Sequence, residues 1–222
     1  MNYAIARAVK RPALNGRWDH GVWADVPVLE IAHFLPESTA HRPETRARLL
    51  YDDDTVYGIF HVRDRYVRCV HTEFQSCVCH DSCVEFFFRP EGAAGYFNFE
   101  FNCGGTMLCY YIVDPTRNGN GFADYQALTE ADARAVRIFH SLPTIVEPER
   151  SENTIWTLEF AIPRAVLALY CGESLRFLAG QRWRGNLYKC GDQTSHPHWA
   201  SWAPLTEKNF HRPDCFGSLL LA

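Results

Sequence analysis

The sequence predicts an all-β fold, a single domain spanning residues 1–222 and built as a β-sandwich of jelly-roll type with one short helix. Its 222 residues include 15 Phe, 10 Tyr and 6 Trp, and aromatic side chains favour strands and bury large apolar areas. Many short segments alternate apolar and polar residues, whereas few show a helical period. No linker of biased composition and no internal repeat divides the chain. These observations favour one sandwich with an ample core.

The amino-terminal part of the chain is predicted to supply anchors and a hairpin. Residues 12–36 have an irregular pattern with short strands, and Trp18 and Trp23 are the expected anchors. Residues 46–51 and 55–63 alternate on either side of three consecutive aspartates at 52–54. An acidic turn between two alternating runs predicts a β-hairpin.

Three further strands carry polar side chains at every second position, over residues 84–89, 97–102 and 182–188. Successive strand side chains point to opposite faces, so Phe97, Phe99 and Phe101 are expected in the core. The opposite face then gathers carboxylates, guanidiniums and carboxamides, from Glu85, Arg89, Asn98, Glu100, Asn102, Arg182, Arg184 and Asn186. We interpret this polar face as a candidate binding surface.

The remaining elements follow from local pattern and turn residues. A strand is predicted at 107–113, a long surface loop at 114–124, and either a helical turn or a strand within 127–138. Residues 154–163 alternate up to Pro163, a short helix follows over 164–170, and Gly172 is expected to end it. A last strand is predicted at 216–221.

Charge and composition restrict the partners. A net charge of -4 and a pI near 6.2 leave no basic footprint, which argues against nucleic acid or an anionic membrane as partner. No apolar run approaches the length of a membrane span, and the first seven residues lack the apolar core of a signal peptide. We therefore expect a soluble, cytoplasmic protein, with its oligomeric state left open.

The nine cysteines are expected to be mostly reduced, because a chain this long and apolar does not need a disulfide scaffold. Cys77, Cys79, His80 and Cys83 lie close together in sequence, as in some zinc sites. Zinc sites usually pair two such groups, and no second pair of that form occurs here. Small buried residues leading into a strand are the preferred interpretation.

Several motifs in this order resemble the carbohydrate-binding module family 9-like proteins. They are Trp18 and Trp23, residues 50–54, 81–87, 98–102, 184–192 and 210–213, and Phe216 with Gly217. The resemblance implies a β-sandwich of the DOMON-like group that binds a sugar or a glycan end in a cleft walled by aromatic rings. It implies an acidic sugar contact at Glu85, polar contacts at Asn102 and Asn186, and an aromatic wall from Trp199 or Trp202. Where the family has a second tryptophan in the wall of the cleft, this chain has Phe74. The members of the family that are attached to xylanases also carry structural calcium.

The residues themselves favour the same function. A pyranose needs a flat aromatic surface for its C–H face and fixed donors and acceptors for its hydroxyls. We predict non-catalytic binding of a mono- or oligosaccharide end, with His196, His198 and His211 near the mouth of the site. The predicted ligand-binding residues are Glu85, Asn98, Glu100, Asn102, Arg182, Arg184, Asn186, Lys189, Trp199 and Trp202.

Other interpretations of these residues remain open. If the protein has no binding site, Trp199 and Trp202 would be ordinary core aromatics. The charged side chains on the polar face would then form cross-strand ion pairs. Glu85 and Glu100 would serve a glycoside hydrolase, although nearby arginines are expected to keep the pKa of both carboxyls low. A haem-binding domain would use Met107 with His61, His71 or His80. No cofactor is predicted with certainty. Calcium is the one considered, with oxygen ligands from residues 52–54, Asp64 and Asp81.

Overall fold

The computed structural model describes residues 1–119 and 121–222. Strands dominate, which confirms the all-β prediction. The described strands are β1 (Asn2–Arg7), β2 (Leu29–Glu30), β3 (His33–Phe34), β4 (Glu44–Tyr51), β5 (Thr55–Asp64), β6 (Val67–Cys69), β7 (Cys83–Arg89), β8 (Tyr96–Asn102), β9 (Met107–Asn118), β10 (Gly121–Ala127), β11 (Arg137–His140), β12 (Val146–Arg150), β13 (Thr154–Pro163), β14 (Arg182–Cys190), β15 (Trp199–Ser201) and β16 (Gly217–Leu221). The helices are α1 (Glu130–Ala133) and α2 (Arg164–Cys171), and single 3-10 turns lie at Gly21–Trp23, Val78–His80 and Pro213–Cys215.

The first sheet has the strand order β10-β9-β8-β7-β14-β16-β1, and the short β15 pairs with β14 and β3. Its neighbours are antiparallel except at β1, which lies parallel to β16. This sheet contains all three of the strands predicted to carry a polar face.

The second sheet has the order β1-β4-β5-β13-β11, with β2 on the far part of β4. The two sheets share β1, because Asn2–Ile5 pair with β16 whereas Ala6 and Arg7 pair with β4. A small two-stranded sheet of β6 and β12 lies beside them. Since β1 changes partners part-way along its length, one strand joins the two layers at their edge.

The main core lies between the layers and contains the inward rows of both sheets. Phe97, Phe99 and Phe101 enter it as the alternation predicts. The Phe86 and Phe160 rings stack across the layers at a centroid distance of 6.0 Å. Truncating one buried aromatic of this kind to Ala typically costs about 3–5 kcal/mol. A large apolar contact, rather than covalent cross-links, therefore sets the position of the two sheets relative to each other.

The outer face of the second sheet is covered by the amino-terminal segment, where Trp18 and Trp23 are buried as anchors. The buried Glu159 carboxylate holds this segment by accepting hydrogen bonds from the Trp23 Nε1–H and from the backbone N–H groups of Asn15 and Gly16, each at 2.8 Å. The amino-terminal segment is therefore fixed on this face by both packing and hydrogen bonds.

Two local predictions are confirmed and one is wrong. The hairpin around residues 52–54 is β4 and β5, paired from Tyr51 with Val56. Gly172 ends α2 with a φ of 95°, a backbone region that favours glycine. Within the predicted loop at 114–124, residues 114–118 and 121–124 instead belong to an extended hairpin of β9 and β10, with irregular register between Phe122 and Tyr125. Asn120, within that predicted loop, lies outside the described residues.

The stretch 127–138, left open between helix and strand, contains both α1 and the start of β11. Thr129 caps α1 by accepting a hydrogen bond from the Asp132 N–H. Within the described part of the chain, no helix has the length and apolar character needed to cross a membrane.

Candidate functional site

The outer face of the first sheet carries the candidate site. Tyr188 pairs with Glu85 across β14 and β7, Glu85 pairs with Glu100 across β7 and β8, and Glu100 pairs with Leu108 of β9. Residues directly opposite one another in an antiparallel sheet point to the same face. The alternation in the sequence therefore predicted the face of Glu85 and Glu100 correctly.

A cavity of about 210 Å³ opens above this row. Its floor comes from β7, β8 and β14, and its wall comes from β15 and from the segment that leads to β16. The residues that line it are Cys79, Glu85, Glu100, Arg117, Cys190, Asp192, Trp199, Lys208, Asn209, Phe210 and His211.

Three carboxyl groups face this cavity with little compensation from cations. Glu85 and Glu100 are 2% and 6% exposed. Burial, together with the neighbouring Glu100 charge, raises the pKa of Glu85 well above its usual value. Burial also raises the pKa of Glu100 to about 7, against the opposing effect of a 2.8 Å hydrogen bond from Asn98. Burial raises the pKa of Asp192 as well. The site thus offers carboxyl groups that can donate as well as accept hydrogen bonds near neutral pH.

The expectation that arginines keep these pKa values low is wrong. Arg182 and Arg184 are exposed and lie at the other end of β14, where Arg184 pairs with Arg89 and donates to the Phe216 carbonyl. Tyr188 lies four positions after Arg184 on the strand, a distance of roughly 13 Å. The cations that line the cavity are Arg117 and Lys208, both from exposed segments.

Two aromatic rings form walls of the cavity. Trp199 is half-buried, and its Nε1–H donates to Asp192 Oδ1 at 2.7 Å, while the Lys208 ammonium lies 3.3 Å from the centre of its ring. Phe210 stacks on Tyr188 at 4.1 Å with the planes 9° apart. The second wall is therefore Phe210. Phe74, which the sequence offered for that role, packs instead against the core between the sheets.

His211 fixes the wall segment to the sheet. Its Nδ1 lies 2.9 Å from the Tyr96 hydroxyl, and its ring packs on Phe87 and Phe122. Burial and the Arg117 charge lower the pKa of His211 to about 3. The imidazole is therefore neutral at physiological pH and acts as a hydrogen-bonding group at the site.

The predicted carboxamides are engaged within the protein. Asn98 accepts from the Tyr110 N–H in addition to donating to Glu100. Asn102 donates to the His71 carbonyl and to Asp81, and accepts from the Thr106 N–H. Asn186 bonds both backbone groups of Ala203. None of the three lines the cavity, so the structure gives them positioning contacts, and ligand contact through them stays a prediction.

Two further predicted residues lie away from the cavity. Lys189 points between the sheets, because its neighbours Tyr188 and Cys190 occupy the outer face, and its ammonium lies 3.2 Å from Asp64 and 2.7 Å from His198. Trp202 is 4% exposed and packs against Tyr3 and Gly217. The structure thus corrects the placement of both residues, leaving Glu85, Glu100 and Trp199 at the cavity.

The sequence pattern did not predict much of the cavity lining, in particular Arg117, Asp192, Lys208 and Phe210. Asp192 and Phe210 lie within motifs that the sequence displays, at 184–192 and 210–213, but alternation assigns a face only inside strands. The two cations lie on a hairpin and a loop, and no spacing rule relates them to β7 or β8.

The acidic residues considered for calcium do not form a shared oxygen cluster. Arg7, Arg11 and Arg164 pair with the aspartates at 52–54. Asp64 pairs with Lys189 and His41, and Asp81 accepts from the backbone N–H groups of residues 70 and 71. These side chains as placed do not form one calcium site, and calcium binding by the chain stays an untested expectation.

The residues considered for haem are also separated. Met107 belongs to the core between the sheets, whereas His61 packs on Trp18 at the outer face of the second sheet. His71 and His80 lie near each other, with ring centroids 5.5 Å apart. No cavity described above brings the methionine and a histidine together.

The family model for carbohydrate-binding family 9 matches residues 22–221. The chain belongs to that family. Its members are binding modules, which confirms the predicted carbohydrate-binding class. No curated protein sequence matches the chain.

Three solved structures have the same overall fold. A protein from Bacteroides uniformis, whose assignment as carbohydrate-binding is itself provisional, superposes with a TM-score of 0.85 at 25% identity, covering 100% of this chain and 99% of that one. A family 9 module from Caldicellulosiruptor kristjanssonii in complex with cellotriose gives 0.62 at 15% identity, covering 100% and 93%. A family 9 module from the same organism in complex with glucose gives 0.57 at 15% identity, covering 99% and 95%.

Proposed function

We propose that this family 9 chain binds the terminal sugar of an oligosaccharide, or a free monosaccharide, in the cavity on the outer face of the first sheet. The observation that carries the proposal is the meeting of buried, poorly compensated carboxyl groups with two aromatic walls in one cavity. Carboxyls supply directional partners for hydroxyls, and a ring supplies a flat surface for the sugar C–H face.

Cavity size supports recognition of one ring at a time. The volume of about 210 Å³ is below the roughly 300–1,000 Å³ of pockets that enclose drug-sized ligands. A single pyranose, with the rest of a glycan extending into solvent, suits such a space. The glucose and cellotriose held by structurally similar family 9 modules belong to the same chemical class.

Trp199 is proposed as the principal stacking surface. Its ring is partly exposed, and the flexible Lys208 ammonium over it is able to move aside or to bond a hydroxyl. The Asp192 hydrogen bond fixes the indole plane. A sugar would then lie between this ring and the carboxyl groups of Glu85 and Glu100.

Calorimetric titration with glucose, cellobiose, xylose and xylobiose tests the proposal. We expect binding in the micromolar to millimolar range by the unaltered chain and about tenfold weaker binding by Trp199→Ala, which corresponds to about 1.4 kcal/mol. Trp199→Phe is the matched control, because it keeps a ring and loses only the bond to Asp192. Silence of the unaltered chain across a broad glycan panel would contradict the proposal.

The raised pKa values of Glu85 and Glu100 also suit a general acid, so a glycoside hydrolase is the second candidate. Aryl glycosides of the same sugars provide the assay. Turnover that Glu85→Gln and Glu100→Gln both abolish would favour the enzyme, whereas binding without turnover favours the module.

A further inference from the structure

A compact group of two thiols and one carboxyl lies at the floor of the cavity. Strands β7 and β14 place Cys83 directly opposite Cys190. Glu85 follows two residues after Cys83, on the same face of β7. The two Sγ atoms and a Glu85 oxygen all lie within 4.8 Å of one another. We call these three residues the thiol–carboxyl cluster.

The spacing of the cluster suits a tetrahedral ion. Glu85 Oε1 lies 3.2 Å from Cys190 Sγ and 4.0 Å from Cys83 Sγ. Zinc binds sulfur at about 2.3 Å and carboxylate oxygen at about 2.0 Å, so tetrahedral angles separate such a pair of ligands by about 3.5 Å. The observed distances lie on either side of that value. Rotations of the side chains would therefore suffice to bring the three atoms around one ion.

A second observation points to a missing ligand. Glu85 Oε2 is buried, since the residue is only 2% exposed, and it has no hydrogen-bond partner among the residues that the structure describes. A buried polar atom without a partner costs roughly 1–3 kcal/mol. Cys83 and Cys190 beside it are 0% and 1% exposed, so the cluster is not a chance grouping of side chains at the protein surface.

The cavity gives the cluster access to solvent. Glu85 and Cys190 both line it, and so does Cys79. An ion held at the floor would thus have three protein ligands and room for a fourth from the cavity side, which is the arrangement of open zinc sites.

We propose that the thiol–carboxyl cluster of Cys83, Cys190 and Glu85 is a zinc site. Thiolate ligands select zinc over calcium and magnesium, which prefer all-oxygen sites. On binding, both thiols and the protonated Glu85 carboxyl release their protons to solvent, and the two sulfurs and one carboxylate oxygen replace water on the ion. The fourth position takes water, Cys79 or a ligand hydroxyl. This proposal does not require sugar binding.

Metal titration of the reduced, chelator-stripped chain provides the test. We expect one equivalent of Zn²⁺ to bind in competition with a chromophoric chelator. Co²⁺ in its place is expected to give the sulfur-to-metal charge-transfer absorption and the intense visible bands of a tetrahedral thiolate site. Cys190→Ser should weaken Zn²⁺ binding at least tenfold and remove one sulfur from the Co²⁺ spectrum.

Matched variants keep the test decisive. Glu85→Gln retains both thiols and should also weaken Zn²⁺ binding, whereas Cys171→Ser alters a half-buried thiol at the end of α2 and should change nothing. If Cys190→Ser does not fold, as judged by circular dichroism, Glu85→Gln and the Co²⁺ spectrum of the unaltered chain decide.

Three outcomes would overturn the zinc site. They are an unaltered chain that binds no Zn²⁺, Zn²⁺ affinity unchanged in both cluster variants, and a Cys83–Cys190 disulfide in freshly purified protein by thiol counting and peptide mass. Sugar titrations with and without Zn²⁺ separate the two proposals, because sugar binding by the metal-free chain leaves the proposed function intact even if the zinc site fails.

Discussion

Strand β14 separates two groups of buried ionisable side chains that differ in how their charges are matched. On its inner face, Lys189 meets Asp64 and His198, and His41 completes the group with a 2.8 Å contact to Asp64. On its outer face, Glu85 and Glu100 meet each other and a cavity. We call these the inner network and the cavity group.

The pKa shifts of the two groups differ in sign. Burial alone would raise the pKa of Asp64, but the Lys189 charge and the His41 hydrogen bond outweigh it and hold that pKa well below its usual value. Burial and the Lys189 charge lower the pKa of His198 to about 3, so His198 stays neutral beside the ammonium. In the cavity group, burial without a close cation raises the pKa of both glutamates. Buried charge with internal partners is structural here, whereas buried carboxyls without them mark the candidate site.

Breaking the inner network is expected to have the largest effect. Lys189→Met leaves the Asp64 carboxylate buried without its cation, which typically costs about 3–5 kcal/mol of unfolding free energy. Urea denaturation measures the loss, and Lys208→Met, at an exposed lysine, should stay within about 0.5 kcal/mol of the unaltered chain.

The double variant Lys189→Met with Asp64→Leu sharpens that result. Removing both charges removes the unmatched carboxylate, so much of the lost stability should return. A double variant as unstable as the sum of the single changes would show that the network acts through packing rather than charge.

The cavity group should respond in the opposite direction. The folded-state pKa of Glu100, about 7, lies above its unfolded value. The contribution of Glu100 to the unfolding free energy is therefore fully present below about pH 4.5 and is lost as the pH rises through 7. At pH 8 the ionised carboxyl therefore opposes folding, and Glu100→Gln should raise the unfolding free energy by about 1–3 kcal/mol.

Chelator-treated protein at pH 8 and pH 5 is the material for that measurement. The gain should shrink at pH 5, where Glu100 is protonated in the folded state. Equal effects of Glu100→Gln at both pH values would mean that the carboxyl is already matched by a charge, and the contrast with the inner network would fail.

The smallest effect is expected from the arginines at the far end of the polar face. Arg182→Ala and Arg184→Ala should each leave sugar affinity within about twofold, because both side chains are exposed and do not line the cavity. Calorimetry with the sugar found for the unaltered chain measures this. A tenfold loss in either variant would extend the site along β14 beyond the cavity group.

Alternation predicted the faces of the sheet well and the site only in part. Because the strand period is two residues, the inward row of Phe97, Phe99 and Phe101 and the outward Glu85 and Glu100 are correct. Two side chains on the same face of a sheet can still lie far apart, since a nine-residue strand is roughly 27 Å long. Arg184 and Glu85 therefore face the same way and lie apart.

Other features depend on relations between distant segments that no local pattern contains. Asn102 and Asn186 look like free binding groups in the sequence, and only the folded chain shows that loop backbone occupies them. Likewise, the cysteines near residue 80 have no second cysteine pair close to them in the sequence. The register of β7 with β14 brings Cys190, more than 100 positions away, opposite Cys83. Cross-strand register is the information that the pattern lacks.

The shared strand β1 links the assembly of the cavity to the order in which the chain folds. The wall segment with Lys208, Phe210 and His211 connects β15 to β16, and β16 is held on its free side by Asn2–Ile5. Joining opposite ends of a chain is among the slowest contacts to form, because the intervening loop is longest. We expect the aromatic wall to settle only when the first and last strands have met, so that ligand competence would report completed folding of the whole sandwich.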